Sequence, residues 1–158
     1  MAVKNITSNI KPEKTVMEIE KLLARFGAKA IMKEYLGENV SSISFVLEHQ
    51  GQKIPFKMPM NVEKARRIVE IAVSEKKLPY KYRNEPLRTE KAMAVGWRLI
   101  KDWIHVSISL MEVEFSEPLE ILLPYAFNPI ENKTVYQMFQ EKKDEFLAIE
   151  EKPEWTTT

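Results

Sequence analysis

Apolar residues recur three and four positions apart at Val16, Ile19, Leu22, Leu23 and Phe26, which predicts an amphipathic helix over 12–26. Pro12 suits its first turn, Thr15 with Glu18 reads as a capping box, and Gly27 is a natural terminator. The period then changes to two. Ala28–Leu36, Val40–Glu48 and Lys53–Met58 read as strands, parted by the turns Gly37-Glu38-Asn39 and Gln50-Gly51-Gln52. In the second strand Ile43, Phe45 and Leu47 alternate with Ser42, Ser44 and Glu48; in the third, Ile54, Phe56 and Met58 share a face. Pro55 cannot donate to a ladder, so the third strand is expected at an edge. Such one-sided alternation needs an apolar cover, most simply the first helix.

The helical period returns after Asn61, a natural cap, with Val62, Ala65, Ile68, Val69, Ala72 and Val73 on the inner side of a helix over 62–75. Two prolines, an asparagine and dense charge make 76–88 a loop. Thr89 then opens the longest helix, over 90–115. Met93, Trp97, Ile100, Ile104, Ile108 and Met111 form one apolar stripe, and Leu99, Trp103, Val106, Leu110 and Val113 a second. A helix apolar on most sides is a buried central helix or one packed in an oligomer. Residues 119–127, split by Pro124, admit a short helix followed by an extended stretch, and Thr134 caps a final helix over 135–149. The expected fold is therefore a single α+β domain over 1–158. An N-terminal helix packs on a three-stranded antiparallel meander (an α-β-β-β-α unit over 12–75). A basic helix and loop, a long buried helix and a small helical C-terminus follow, the helical part covering 89–149. Residues 1–11 and 150–158 are expected to be flexible.

Charge changes this picture more than composition does. The net charge of +1 hides a strong segregation. Residues 1–63 hold nine Lys/Arg against seven Asp/Glu, residues 64–101 eleven against four, and residues 102–158 four against twelve. A basic middle of this kind points to a polyanion as partner. The chain has no cysteine, which excludes disulfides, thiolate metal sites and cysteine nucleophiles and fits a reducing cytoplasm. The stretch MAVKNITSNIKPEK lacks the apolar core of a secretory leader, and no apolar run approaches a membrane span. A cytoplasmic location and no membrane partner are the expectation.

Nucleic-acid binding needs cations that displace counterions from phosphates and flat rings that stack on bases. Both residue types crowd 64–101. The second helix supplies Lys64, Arg66 and Arg67, and the loop supplies Lys76, Lys77, Tyr80, Lys81, Tyr82, Arg83 and Arg88. The long helix adds Lys91, Arg98 and Lys101 on roughly one face. A solvated loop that only keeps the chain soluble would carry the same pattern, as would a surface for an acidic protein partner. The α-β-β-β-α order also occurs in double-stranded RNA-binding domains, and a β-β-β-α unit in single-strand annealing proteins, although element order does not establish function.

Other chemistry has weaker support. Arg98, Asp102, His105 and Ser109 share a face at spacings that let neighbours touch, but a serine inside a helix has no free backbone N–H to serve as an oxyanion donor. An ion pair of Asp102 with His105 or Arg98 is the plain alternative. His49 and His105 have no metal-ligand spacing, and Glu112, Glu114, Glu117 and Glu120 read as a solvated helix end. No glycine-rich nucleotide motif is present. No catalytic residue, metal or cofactor is expected.

Five segments, Ser42–Leu47, Pro55–Pro59, Gly96–Glu114, Leu122–Phe127 and Lys133–Phe139, resemble a widespread family of small phage and prophage (mobile-element) proteins. The resemblance covers most of 13–140. Its motifs are apolar, so it implies context rather than chemistry: an accessory protein acting inside a bacterial or archaeal cell, in DNA transactions or against host defence. The leading expectation is a non-enzymatic accessory protein that binds DNA, RNA or a nucleoprotein complex through 64–101. The alternative is a protein-binding inhibitor of a host defence system (anti-CRISPR-like) whose acidic 112–154 region mimics phosphate. A metal-dependent nuclease using Glu112, Glu114 or Glu117 is the third. The two-sided apolar helix also suits self-association into a homo-oligomer.

Overall fold

The computed structural model of the protein describes residues 2–147. Helix α1 (Pro12–Phe26) leads into β1 (Ala30–Leu36), β2 (Asn39–His49) and β3 (Gln52–Pro59). Helix α2 (Val62–Ser74), a 3-10 turn (Tyr80–Arg83) and helix α3 (Leu87–Glu112) follow. The C-terminal part holds α4 (Pro118–Leu122), a 3-10 turn (Leu123–Tyr125), β4 (Phe127–Asn128), β5 (Lys133–Thr134), α5 (Val135–Glu141) and α6 (Lys143–Leu147). The fold is α+β, as the patterning predicts. No helix among the described residues is long and apolar enough to cross a membrane. The expected tail, 150–158 with Trp155, lies outside the described residues.

The meander runs β1-β2-β3, antiparallel throughout. Its register puts Phe45 opposite Phe56 and Ile43 opposite Met58, and the two phenylalanine rings stack at 5.4 Å. These side chains are buried and pack on α1 and α3 together, not on α1 alone. β3 is the sheet edge that Pro55 requires, and the C-terminal ribbon β4-β5 lies beside it through a bridge from Phe56 to Ala126. Helix α3 packs against both α1 and α2. Its Trp97 is fully buried, and Gly96 leaves room for Met60 and Ala65: a Cβ there would lie 2.6 Å from the Met60 Cε.

Several boundaries differ from the sequence expectation for local reasons. Gly27, at φ 111, closes α1 with its own N–H and that of Ala28 bonded back to Leu23, so β1 starts at Ala30 and not Ala28. Thr15 is inside α1, its hydroxyl buried without a partner among the described residues, and Glu18 bonds Arg98; there is no capping box. Helix α2 ends at Ser74, one residue early. Helix α3 begins at Leu87, ahead of Thr89, whose hydroxyl donates back to Glu85 at 2.7 Å. It ends at Glu112 because Glu114 takes a positive φ of 55° while Phe115 N–H returns to the Leu110 carbonyl. Residues 118–128 resolve into a short helix, a 3-10 turn and a brief strand. Thr134 makes the expected cap, a full capping box with Gln137. The expected single helix over 135–149 breaks at Lys142 instead, which lets Phe146 fold back onto Phe139 at 5.7 Å between ring centres.

Residues 2–11, expected to be loose, are fastened along α3. Lys4 and Asn5 bind Asp102 at 2.9 and 2.8 Å, and the Lys91 ammonium donates to the Ser8 carbonyl at 2.6 Å.

Candidate nucleic-acid interface

The cations of 64–101 divide by what they touch. Arg66 pairs with Glu63 at 3.1 Å and Glu85 at 2.7 Å, and Arg88 pairs with Glu70 at 2.9 Å and Glu85 at 3.0 Å. This network ties α2 to the start of α3. Lys77 pairs with Glu75 at 2.7 Å. On the other flank of α3, Arg98 bonds Glu18 of α1 at 2.6 Å with Lys101 at 3.7 Å, and Lys91 is buried against Ser8 and Asn9 of the N-terminal segment 2–11, the leader. The face shared by Lys91, Arg98 and Lys101 is therefore a seam for α1 and residues 2–11 and does not join the exposed cations of α2.

Lys64, Arg67, Lys76, Lys81 and Arg83 remain. Each is exposed, and no carboxylate among the described residues lies within ion-pair distance of any of them. Helical spacing puts Lys64 and Arg67 on the outer side of α2, opposite buried Ala65, Val69 and Ala72. Lys76 follows in the tight turn that closes α2, at φ 59. Lys81 and Arg83 project from the 3-10 turn, which packs on both α2 and α3. Arg83 lies over the Tyr80 ring at 4.8 Å, and Tyr80 is 70% exposed. Tyr82 is half-buried, with Lys81 at 5.2 Å and Lys91 at 5.5 Å from its ring centre. The structure thus brings five free cations and one open ring onto α2 and the adjoining turn. It diverts Arg66, Lys77, Arg88, Lys91, Arg98 and Lys101 to internal contacts.

Glu85 holds this scaffold, and its carboxyl is held well below the usual carboxylate range. The Thr89 hydroxyl bond does most to bring its carboxyl down to about 2, against burial, which pushes it up; Arg88 and Arg66 add to the lowering. Because the folded value lies below the ordinary 4.5, the stabilisation is fully present above about 4.5 and is lost as pH falls through about 2. Replacing Glu85 with Gln is expected to flatten the acid limb of a plot of urea midpoint against pH. An unchanged acid limb would show that Glu85 does not hold α2 to α3.

The polar stripe on α3 has no catalytic geometry. Asp102 binds Lys4 and Asn5, neither His105 nor Arg98; burial raises its carboxyl, but those two partners outweigh it and hold it below its usual range. The Ser109 hydroxyl donates to the His105 backbone carbonyl at 2.9 Å. Among the described residues no group of acids and histidines is placed to hold a metal ion.

Comparison with family models, with curated proteins and with solved structures finds no match to this chain.

Pattern reading missed the cleft beside this surface. Ser8, Asn9, Glu38 and Asn39 meet Lys81, Tyr82 and Lys91 around a cavity of about 630 Å³. Nothing in local spacing joins residue 8 to residue 91. Only the folded path of the leader along α3 does so.

Proposed function

We propose that the protein is a non-enzymatic nucleic-acid-binding accessory protein, in keeping with the mobile-element context its sequence resembles. Its contact surface is the outer side of α2 with the 3-10 turn. The observation that carries this is the set of five exposed cations without carboxylate partners beside an exposed tyrosine. Free cations release counterions from phosphates, whereas cations already paired release few. An open ring that carries an arginine on one face can stack an unpaired base, which favours single strands over duplex. Ultraviolet cross-linking to a labelled single strand, read by mass spectrometry, should place the adduct on Tyr80. Adducts confined to Trp103 or Phe146, or none at all, would reject the surface.

A second reading has one observation in its favour. Around the end of α3, exposed Val113 and Phe115 alternate with exposed Glu112, Glu114 and Glu117. Apolar residues set among acids suit a basic protein partner, as an inhibitor of host defence would need. Capture of a host protein at a salt level that abolishes nucleic-acid binding, lost in Phe115→Ala, supports it; retention by that variant opposes it.

A further inference from the structure

The cleft beside the 3-10 turn holds a buried cation with no counter-ion. Lys91 is 5% exposed. Its ammonium has three N–H donors. One reaches the Ser8 carbonyl at 2.6 Å and a second the Asn9 Oδ1 at 3.3 Å, both neutral acceptors. The third has no hydrogen-bond acceptor among the described residues, its nearest contact being the face of the Tyr82 ring at 5.5 Å, and no carboxylate among those residues lies within ion-pair distance of the group. Burial lowers the Lys91 pKa, and the neighbouring Lys81 charge lowers it further. Two ammonium groups therefore flank one ring, Tyr82, on one wall of the cavity. An uncompensated charge in such a place costs stability and is stabilised by an arriving anion.

We propose that this cleft is a binding site for a phosphomonoester of nucleotide size. The size follows from the cavity, about 630 Å³, which lies within the range of small-molecule sites. The dianionic phosphate follows from the pair of ammonium groups, since a single carboxylate would neutralise only one. The nucleoside follows from the rest of the lining. Ile10, Pro12 and Leu87 offer an apolar bed for a base, and Glu13, Glu38 and Glu90 are acceptors suited to ribose hydroxyls. The phosphate sits at Lys91 and Lys81, in a lining that also carries Lys11 and the carboxylates Glu13, Glu38 and Glu90. A free mononucleotide and the 5′ end of a strand carry the same group. The site does not depend on the outer surface binding nucleic acid.

Adenosine 5′-monophosphate is the probe. Calorimetric titration should give a saturable heat, and NMR should show the Tyr82 ring shifting with it. Adenosine should bind about ten- to a hundredfold more weakly, the loss of charge-assisted hydrogen bonds. Lys91→Met should abolish binding. Because that change also releases the leader, Lys81→Gln is the second variant: its side chain is exposed, its melting temperature should be unchanged, and affinity should fall about tenfold. Oligonucleotides with a 5′-phosphate and a 5′-hydroxyl separate the two sources. A preference for the phosphorylated end names a strand terminus, and no preference with the mononucleotide still bound names a free nucleotide. Mononucleotide binding with no oligonucleotide binding would defeat the outer-surface proposal and leave this one standing. Equal affinity for adenosine and its monophosphate, no saturable heat, or full affinity in Lys81→Gln would overturn it.

Discussion

Replacing Lys64, Arg67, Lys76, Lys81 and Arg83 together with alanine is expected to weaken single-strand binding by about three orders of magnitude near physiological salt. The size follows from counterion release: each phosphate contact adds its own salt-dependent increment, and five are removed at once. None of these side chains pairs with a carboxylate among the described residues, so the melting temperature should hardly move. The paired cations supply the control. Arg66→Ala takes the partner of Glu63 and Arg88→Ala that of Glu70, and each removes one of the two arginines on Glu85, so they should cost stability while keeping most of the affinity. If the control variants lose as much affinity as the five-alanine variant, bulk positive charge and not this surface does the binding. Fluorescence anisotropy for affinity and circular dichroism for melting separate the two.

Trp97→Ala is expected to cost about 3–5 kcal/mol, the range for removing a large aromatic from a packed core. Against a typical total of about 5–15 kcal/mol this leaves little, and the melting temperature should fall by roughly 6–20 °C. Trp97 is fully buried on α3, the helix that α1 and α2 both pack against. Beside it Gly96 already lets Met60 approach closely, so there is no slack nearby to collapse cheaply into the void. Trp97→Phe should cost much less. The indole Nε1 is buried without a partner among the described residues, and the phenyl ring removes that unpaired donor along with the second ring. Urea unfolding followed by circular dichroism checks both variants. A loss under about 1 kcal/mol for Trp97→Ala would mean that α3 is not the structural centre.

Much of the fold was legible because its signals are local. Val16, Ile19 and Leu23 carry the period of α1, and Ile43, Phe45 and Leu47 that of β2; all six are buried. Thr134 caps α5 as a threonine followed by Gln137 should. Boundaries failed where a local signal was outweighed by a neighbour. Thr89 looked like a helix cap, but Glu85 takes its hydroxyl and the helix starts earlier. Lys142 breaks a helix without glycine or proline because two phenylalanines meet once it does.

The candidate surface was legible only in outline. Sequence density marks 64–101 as basic, yet which cations stay free is decided by partners far along the chain. Glu18 reaches Arg98 across eighty residues, and the Ser8 carbonyl reaches Lys91 across eighty-three. Helical spacing groups Lys91, Arg98 and Lys101 on one face, but residues 2–11 and α1 pack over it. Helical spacing fixes which residues share a face, but what covers that face depends on residues far along the chain.

The decisive measurement is anisotropy of a labelled single strand with the unaltered protein at about 50 and 200 mM salt, because five phosphate contacts should cost about a hundredfold in affinity across that interval. A steep salt dependence near that size, with duplex bound more weakly, is the expected result. Absence of binding at the lower salt, or an affinity that salt leaves unchanged, would contradict a nucleic-acid-binding role for the α2 surface.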